Sequence, residues 1–287
     1  MKFAFIREHQ ERFAVVDLCR VLEVSTSGFY HWLKEPVGKR ERRREKLGAE
    51  IARVHEANRG VYGSPRVCAA LRQEGQSVCR NTVAKVMKSL GIKARTHRRF
   101  RVRTTDSNHA HPIAPNVLGR KFSAARTDQV WLTDITYIPT EEGWLYLAGV
   151  MDMCSRRIVG WSMAEHMRAG LVRDALSMAI RSRCPGAGLL HHSDRGVQYA
   201  CDDYRRQLEA HGITVSMSRT GDCYDNAPAE SFWGKLKTEL VYLERFTTRE
   251  QARAAIFEYI EVFYNRTRLH SSLGYVSPER FEAGMTR

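Results

Sequence analysis

Residues 130–164 read VWLTDITYIPTEEGWLYLAGVMDMCSRRIVGWSMA, and they decide the fold of the second half of the chain. Their β-branched and aromatic residues predict a strand over 130–140, a turn at Glu141-Glu142-Gly143 and two further strands within 144–164. Helical and strand patterns alternate after this stretch. We expect helices over 169–183, 201–211 and 248–265, and strands over 188–194 and 213–218. Three strands followed by alternating elements indicate a mixed α/β sheet covered by helices.

The first half of the chain has a different, helical pattern. Within 13–34 two short apolar-periodic segments flank a break, and Ser25 or Ser27 is placed to cap the second segment. This length and spacing predict a helix-turn-helix, although two amphipathic helices without a DNA role give the same pattern. If the unit binds DNA, Tyr30 and Lys34 on its second helix are candidate contacts.

A second helix pair is predicted within 61–94. Ser64-Pro65 is a favourable helix start, with helices expected over 65–73 and 79–90. The buried face of the later helix is expected to consist of Val83, Val86, Met87 and Leu90. Its outward residues include Arg80, Asn81 and Lys85, and such side chains near a helix N-terminus are able to reach base edges in a major groove.

Positive charge is concentrated in this helical half. Residues 1–127 contain 27 Lys and Arg against 11 Asp and Glu, whereas residues 128–287 contain 19 against 21. Such asymmetry indicates a polyanionic partner, either nucleic acid or an anionic membrane surface, against the alternative of a merely solvated surface. Two helix pairs in the basic region favour DNA.

Composition excludes several other classes of protein. No apolar run is long enough to span a membrane, and residues 1–13 lack the apolar core of a secretory signal. Seven cysteines are scattered without a CxxC pair. We therefore expect free thiols in a reducing cytoplasm and no structural zinc site. We expect His191 and His192 to be strand-end residues rather than metal ligands.

Four segments are expected along the chain: a helix-turn-helix with a charged helix over 1–60, a second helix-turn-helix over 61–94, a basic linker over 95–126 and the α/β domain over 127–287.

Three carboxylates are placed to meet at one edge of the predicted sheet. Asp134 lies in the first strand, Asp194 follows a later strand, and Glu230 begins a helix after the last strand. Catalytic groups collect at strand ends in such sheets. The residues leave alternatives open, because Asp152 also lies in a strand and Glu230 suits any helix start.

A cluster of acids is costly without a counter-ion. Like charges a few ångströms apart raise one another's pKa, and Mg²⁺ or Mn²⁺ bound by carboxylate oxygens removes this cost. Two such ions suit the attacking and leaving oxygens of a phosphodiester. Together with the basic half, this favours metal-assisted phosphoryl transfer on DNA.

Several motifs resemble one known family. WLTDITYI around Asp134, HSDRGVQY around Asp194 and DNAPAESFWGKLKTE around Glu230 resemble the catalytic blocks of DDE transposases and retroviral-type integrases, and 35 residues separate the second acid from the third. MKFAFIREH, YGSPRVCAALRQEG and the ending YNRTRLHSSLGYVSPERFE (264–282) resemble the second-reading-frame product of bacterial elements of the "insertion sequence three" family.

The resemblance implies a ribonuclease-H-like catalytic core over 127–287. It implies that Asp134, Asp194 and Glu230 bind two Mg²⁺ ions, with Mn²⁺ as a substitute, and that Asp152 is not a ligand. It also implies that Lys237 contacts DNA, and the seven-residue separation places Lys237 on the helix face of Glu230. Trp233, between them, is expected to pack rather than to stack on DNA.

The resemblance also implies partners: double-stranded DNA at the element's terminal repeats and at the target, a first-frame product or a fusion with it, and further copies of the chain on DNA. Since no heptad run is sustained over three or four repeats, we expect dimerisation and end recognition to need that partner. The expected location is the cytoplasm of a bacterium, in association with the nucleoid. Two other functions stay open, namely a catalytically silent DNA-binding regulator and a stand-alone ribonuclease-H-like nuclease.

Overall fold

The fold is taken from a computed structural model, which describes residues 1–34, 38–95, 112–219 and 223–285. The chain forms two compact units, Met1–Ala94 and Arg95–Arg287. Both predicted helix pairs fall in the first unit, and its division at residue 60 stays a prediction.

The first three helices of unit one enclose a small core. They are α1 (Lys2–His9), α2 (Val15–Val21) and α3 (Thr26–Lys34). Ile6, Cys19 and Phe29 form the buried core between them. The Ser25 hydroxyl accepts a hydrogen bond from the Gly28 amide at 3.0 Å, so Ser25 is the cap. The two helices predicted within 13–34 are confirmed, whereas the sequence pattern did not predict α1.

The next three helices are α4 (Lys39–Ala57), α5 (Ser64–Gln73) and α6 (Arg80–Ser89). The long helix α4 packs against both of the others. Val83, Val86 and Met87 are buried as predicted, but Leu90 is 52% exposed and its predicted burial is wrong. The helix ends at Ser89, so helical periodicity no longer directs the side chain of the following residue into the core.

Unit two is built on a five-stranded sheet of order β3-β2-β1-β4-β5. The strands are β1 (Val130–Thr140), β2 (Gly143–Asp152), β3 (Ile158–Ala164), β4 (Leu190–Ser193) and β5 (Thr214–Met217). The first three form an antiparallel meander, and β4 and β5 continue the sheet in parallel with β1. The predicted mixed sheet is confirmed, with its last two strands shorter than expected.

Helices flank this sheet and extend beyond it. Their bounds are α7 (Ala169–Arg183), α8 (Val197–Ala200), α9 (Asp202–Ala210), α10 (Ala227–Leu236), α11 (Arg249–Phe257) and α12 (Pro278–Met285). Helix α10 continues as a π-helical turn over Lys237–Val241, and α11 continues likewise over Glu258–Thr267. The helices predicted over 169–183, 201–211 and 248–265 are confirmed. In the described part of the chain, no helix is both long and apolar enough to cross a membrane.

The two faces of the sheet pack against different helices. One face, including Trp131, Ala148 and Val150, forms the main core with α7, α8 and α9. Gly160 of β3 permits close approach of α7, because an added Cβ would lie 2.3 Å from the Ala175 carbonyl oxygen. On the other face, Leu132 of β1 packs with Ala229 of α10. This second face carries the candidate site.

The end of the predicted linker belongs structurally to unit two. The amides of Val117 and Leu118 donate to the Ser216 hydroxyl at 3.0 and 3.2 Å, and Leu118 is buried. Most of the earlier linker, 96–111, lies outside the described residues.

Candidate active site

Asp134 lies in the middle of β1, directly opposite Gly149 of β2. One carboxylate oxygen, Oδ1, accepts a hydrogen bond from the Ile135 amide at 2.8 Å, and Oδ2 accepts one from the indole Nε1 of Trp233 at 3.1 Å. Desolvation by the surrounding protein, followed by the negative charges of Asp194 and Glu230, raises the pKa of Asp134 to about 8. Desolvation therefore disfavours the charged form of this carboxyl most strongly, and the two acidic neighbours add to the effect.

Asp194 follows the last residue of β4. Leu132 of β1 pairs with His192 of β4 in a parallel register, and continuing that register by two residues places position 194 beside position 134. The Asp194 Oδ1 atom accepts a hydrogen bond from the Gly196 amide at 2.9 Å. Asp194 thus lies just beyond the carboxyl end of an interior strand, where catalytic groups collect in α/β sheets.

Glu230 is an exposed residue in the first turn of α10. The start of this helix is attached to β1 by Asn226, whose side-chain amide donates to the Thr133 carbonyl oxygen at 3.0 Å. Since Thr133 precedes Asp134, this bond joins the element that carries Glu230 to the strand that carries Asp134.

A buried carboxylate also anchors the start of α10. Asp225 accepts hydrogen bonds from the guanidinium groups of Arg219 and Arg120 and from the Asn116 amide, at 2.8 to 3.1 Å. Chiefly the bonds from Arg219, followed by those from Arg120, hold the pKa of Asp225 well below its usual range. This group ties the end of the linker and the exit of β5 to α10. The sequence pattern offered only Asp225-Asn226 as a helix start.

The three acids share one region without forming a closed cluster. The charges of Asp194 and Glu230 both act on Asp134. Among the described residues, no three His, Cys, Asp or Glu side chains lie close enough together to hold a metal ion. The donor chemistry nevertheless fits a divalent cation, because all three candidate residues are carboxylates, which Mg²⁺ and Mn²⁺ prefer, and a cation would relieve their repulsion.

Trp233 was expected to pack, and it is only 6% exposed. Its indole also donates to Asp134, a contact that spacing alone did not predict. The only signal in the sequence was its position three residues after Glu230, within one helical turn.

Lys237 begins the π-helical turn after α10. Its Nζ lies 4.4 Å from the centroid of the Tyr137 ring. Burial lowers the pKa of Lys237, and the nearby negative charge of Asp134 opposes this effect. Lys237 and Glu230 therefore both interact electrostatically with Asp134, which agrees with the predicted shared face. Contact of Lys237 with DNA stays a prediction.

The candidate DNA contacts in unit one are all exposed. Tyr30 and Lys34 lie on α3, and Arg80, Asn81 and Lys85 lie on α6. Their exposure is necessary for the predicted role, but it does not test it.

Asp152 and the pair His191 and His192 form structural hydrogen bonds within the fold. Asp152 is fully buried and accepts hydrogen bonds from the amides of Asp128 and Ser155 and from the Ser155 hydroxyl, at 2.7 to 2.8 Å. It serves the β2–β3 turn. His191 bonds to the Tyr204 hydroxyl at 2.8 Å, and His192 bonds to two serine hydroxyls.

Comparison with known families agrees with this architecture. The family described as "Integrase core domain" matches residues 124–223, a second integrase core domain family matches 211–278, and the family described as "HTH-like domain" matches 41–100.

Two solved structures show a weaker likeness. The simian T-cell lymphotropic virus intasome, in complex with a PP2A regulatory subunit, has a TM-score of 0.48 at 16% identity, covering 81% of this chain and 74% of that one. The HTLV-2 integrase catalytic core domain in complex with magnesium has a TM-score of 0.43 at 13% identity, covering 55% of this chain and 99% of that one.

Curated relatives align over almost the whole chain. The insertion element IS600 31 kDa protein of Shigella sonnei is 47% identical, covering 92% of this chain and 97% of its own. Transposase InsF for insertion sequence IS3A of Escherichia coli K12 is 42% identical, covering 98% of both chains. The sheet, the order of the domains and these relatives agree, and the chain belongs to the IS3 family of insertion-sequence transposases with an integrase core domain.

Proposed function

We propose that this chain catalyses the DNA cleavage and strand transfer of its insertion sequence, with Asp134, Asp194 and Glu230 as the catalytic acids. The observation that carries the proposal is the placement of the acids. Asp134 lies in β1, Asp194 directly follows the neighbouring strand β4, and the charges of Asp194 and Glu230 both act on Asp134.

In this proposal the three carboxylates hold two Mg²⁺ ions, or Mn²⁺ in their place. When bound, such ions increase the nucleophilicity of the attacking oxygen and stabilise the charge on the leaving oxygen. Asp134 supplies oxygens already oriented by two hydrogen bonds, and Asn226 holds the helix of Glu230 beside it. In this proposal, the exposed Glu230 side chain moves toward Asp134 and Asp194 until all three carboxylates reach coordination distance of the ions.

The reaction proceeds in two displacements without a covalent protein intermediate. Water attacks a phosphodiester at the end of the element, its oxygen bonds to phosphorus, and the P–O3′ bond breaks to free a 3′-hydroxyl. That hydroxyl then attacks a second phosphodiester, forming one P–O bond as another breaks. The contribution of the protein is positioning and charge stabilisation.

DNA binding is assigned mainly to the basic unit one. Tyr30 and Lys34 on α3 and Arg80, Asn81 and Lys85 on α6 would contact the terminal repeat, while Lys237 would bind a phosphate beside the active site. We further propose assembly of several copies on DNA, together with the first-frame product or as a fusion with it, at the bacterial nucleoid. A basic HTH-like domain ahead of an integrase core supports this arrangement.

A strand-transfer assay with labelled terminal-repeat DNA and Mg²⁺ tests the proposal. Asp194→Asn is expected to abolish cleavage and transfer. The matched control is Asp202→Asn, which makes the same Asp-to-Asn change. Asp202 is an acid in the first turn of α9 and is not a candidate catalytic residue.

The same assay separates the alternatives. DNA binding without cleavage by the wild type would indicate a silent regulator, and cleavage without transfer would indicate a nuclease. Full activity of Asp194→Asn would contradict the assigned site.

A further inference from the structure

Trp233 connects the two elements that carry Asp134 and Glu230. It lies on α10 three residues after Glu230, and its indole Nε1 donates to Oδ2 of Asp134 on β1 at 3.1 Å. Because the other oxygen, Oδ1, accepts from the Ile135 amide, both oxygens are oriented, and each keeps acceptor capacity for a further partner.

Gly149 provides the surface on which the indole rests. Gly149 is the β2 residue opposite Asp134, so a side chain at this position would occupy the same face of the sheet. An added Cβ would lie 2.9 Å from Cη2 and 3.2 Å from Cζ2 of Trp233. These atoms belong to a rigid, buried ring, which cannot move aside as a flexible side chain would. The absence of a Cβ at Gly149 therefore determines how closely Trp233 approaches the sheet.

We infer that Trp233 and Gly149 form a positioning pair for the catalytic acids. The indole N–H orients the Asp134 carboxylate, and the contact between the ring and Gly149 fixes the distance from the Glu230 helix to β1. This inference rests on the proposed function, since it assigns a purpose to the alignment of those acids. Trp233 acts through Asp134 and is a positioning residue rather than a catalytic one.

A buried tryptophan whose N–H simply needs an acceptor is the competing explanation. The chain contains a comparable indole–carboxylate bond at a half-buried tryptophan, Trp161. The indole Nε1–H of Trp161, on β3, donates a hydrogen bond to Glu261 Oε1 at 2.7 Å. Glu261 is not among the candidate acids. Replacement of either tryptophan by phenylalanine removes an indole–carboxylate hydrogen bond and keeps an aromatic ring. Only Trp233→Phe should affect catalysis.

The first measurement is the single-turnover cleavage rate at saturating terminal-repeat DNA and Mg²⁺. Trp233→Phe is expected to cleave about tenfold more slowly with unchanged DNA affinity, within the roughly hundredfold range of a 1 Å misplacement. Trp161→Phe should cleave at the wild-type rate. Suppose that the wild type is active, Asp194→Asn is inactive and Trp233→Phe is fully active. That result would overturn the inference but leave the proposed function intact.

A double-mutant cycle tests the role of Gly149 separately. Gly149→Ala should slow cleavage in the wild-type background, because the added methyl displaces the indole. It should cost much less in the Trp233→Phe background, where the shorter ring leaves room for it. Equal costs in both backgrounds would show that Gly149 and Trp233 act independently and would overturn the pairing.

A readout independent of activity is the ¹H–¹⁵N resonance of the indole in the full chain. The Trp233 peak is identified by its loss in Trp233→Phe, and Asp134→Asn is expected to shift it while leaving the Trp161 peak in place. An unshifted Trp233 peak would overturn the proposed contact. If Asp134→Asn shifts the Trp233 peak but the wild-type protein never cleaves DNA, the contact is supported and the proposed function is contradicted.

Discussion

Asp134 and Asp225 are acids with opposite surroundings. Asp225 is buried beside an Asn116 amide and two arginine guanidinium groups, and the arginines lower its pKa. Asp134 interacts with two further acids, and burial together with their charges raises its pKa to about 8. Asp225, paired with arginines, holds α10 in place. The charge of Asp134 is opposed by two acids and only partly offset by Lys237, so Asp134 destabilises the fold rather than supporting it. This difference separates the structural carboxylate from the candidate catalytic one.

Asp134→Asn is the substitution with the largest expected effect. Without the anionic ligand, cleavage is expected to fall by at least about a hundredfold, the scale of losing one electrostatic group in an active site. The free energy of unfolding should be unchanged or higher in the absence of divalent ions, because the folded chain no longer has to protonate this carboxyl or hold it charged beside two acids. Cleavage assays and urea denaturation measure the two effects, and a marked loss of stability would contradict the description of Asp134 as an acid destabilised by its surroundings.

Asp225→Asn should show the opposite pattern in stability. Loss of the charge weakens the bonds from Arg219 and Arg120, and we expect about 2–3 kcal/mol less stability by urea denaturation, in line with hydrogen bonds to charged groups. The control is Asp203→Asn, which removes an exposed pair with Arg206 and should cost under about 1 kcal/mol. Equal effects of the two substitutions would refute the anchoring role of Asp225.

His191 is a third kind of buried ionisable group, one that stays neutral in the folded chain. Burial, followed by the charge of His192, lowers its pKa from 6.5 to about 3. Below pH 6.5 the unfolded chain binds a proton that the folded chain does not, so stability should fall as the pH decreases from 6.5 towards 3. The slope from this group approaches about 1.4 kcal/mol per pH unit. Urea denaturation from pH 7.5 to 5 measures it, and His191→Gln should show a smaller pH dependence.

Lys237→Gln is expected to have the smallest effect. It removes one positive charge beside Asp134, so terminal-repeat DNA should bind several-fold more weakly, and the slope of log affinity against log salt should decrease by about one. A filter-binding salt series gives both quantities. Lys235→Gln, two residues earlier on the same helix, is the control, and equal losses for the two lysines would contradict a specific role of Lys237.

Periodicity in the sequence predicted much of the fold. The strand at 130–140, the meander after it and the helix at 169–183 follow from alternation and apolar spacing over long segments. Periodicity failed where an element ends or is short. Leu90 follows the last residue of α6 and is exposed, and the four-residue helix α8 leaves no periodic signal.

The candidate acids were chosen by motif and spacing, but their surroundings depended on distant residues. Asn226 bonds to Thr133, 93 positions earlier, and Trp233 bonds to Asp134, 99 positions earlier. Hydrogen bonds between such distant residues leave no local pattern in a single sequence. Asp152 illustrates the converse, because only its three donors from the adjoining loops show it to be a structural acid.

The sequence alone predicted the basic helical half and the α/β half, and its motifs identified the candidate acids. These properties depend on composition and on short-range periodicity, which survive in any arrangement of the chain. The folded structure was needed to show that arginines pair with Asp225, that other acids oppose Asp134, and that the indole packed on Gly149 donates to Asp134. Electrostatic surroundings and close packing depend on distances between remote residues, and those distances exist only in the folded chain.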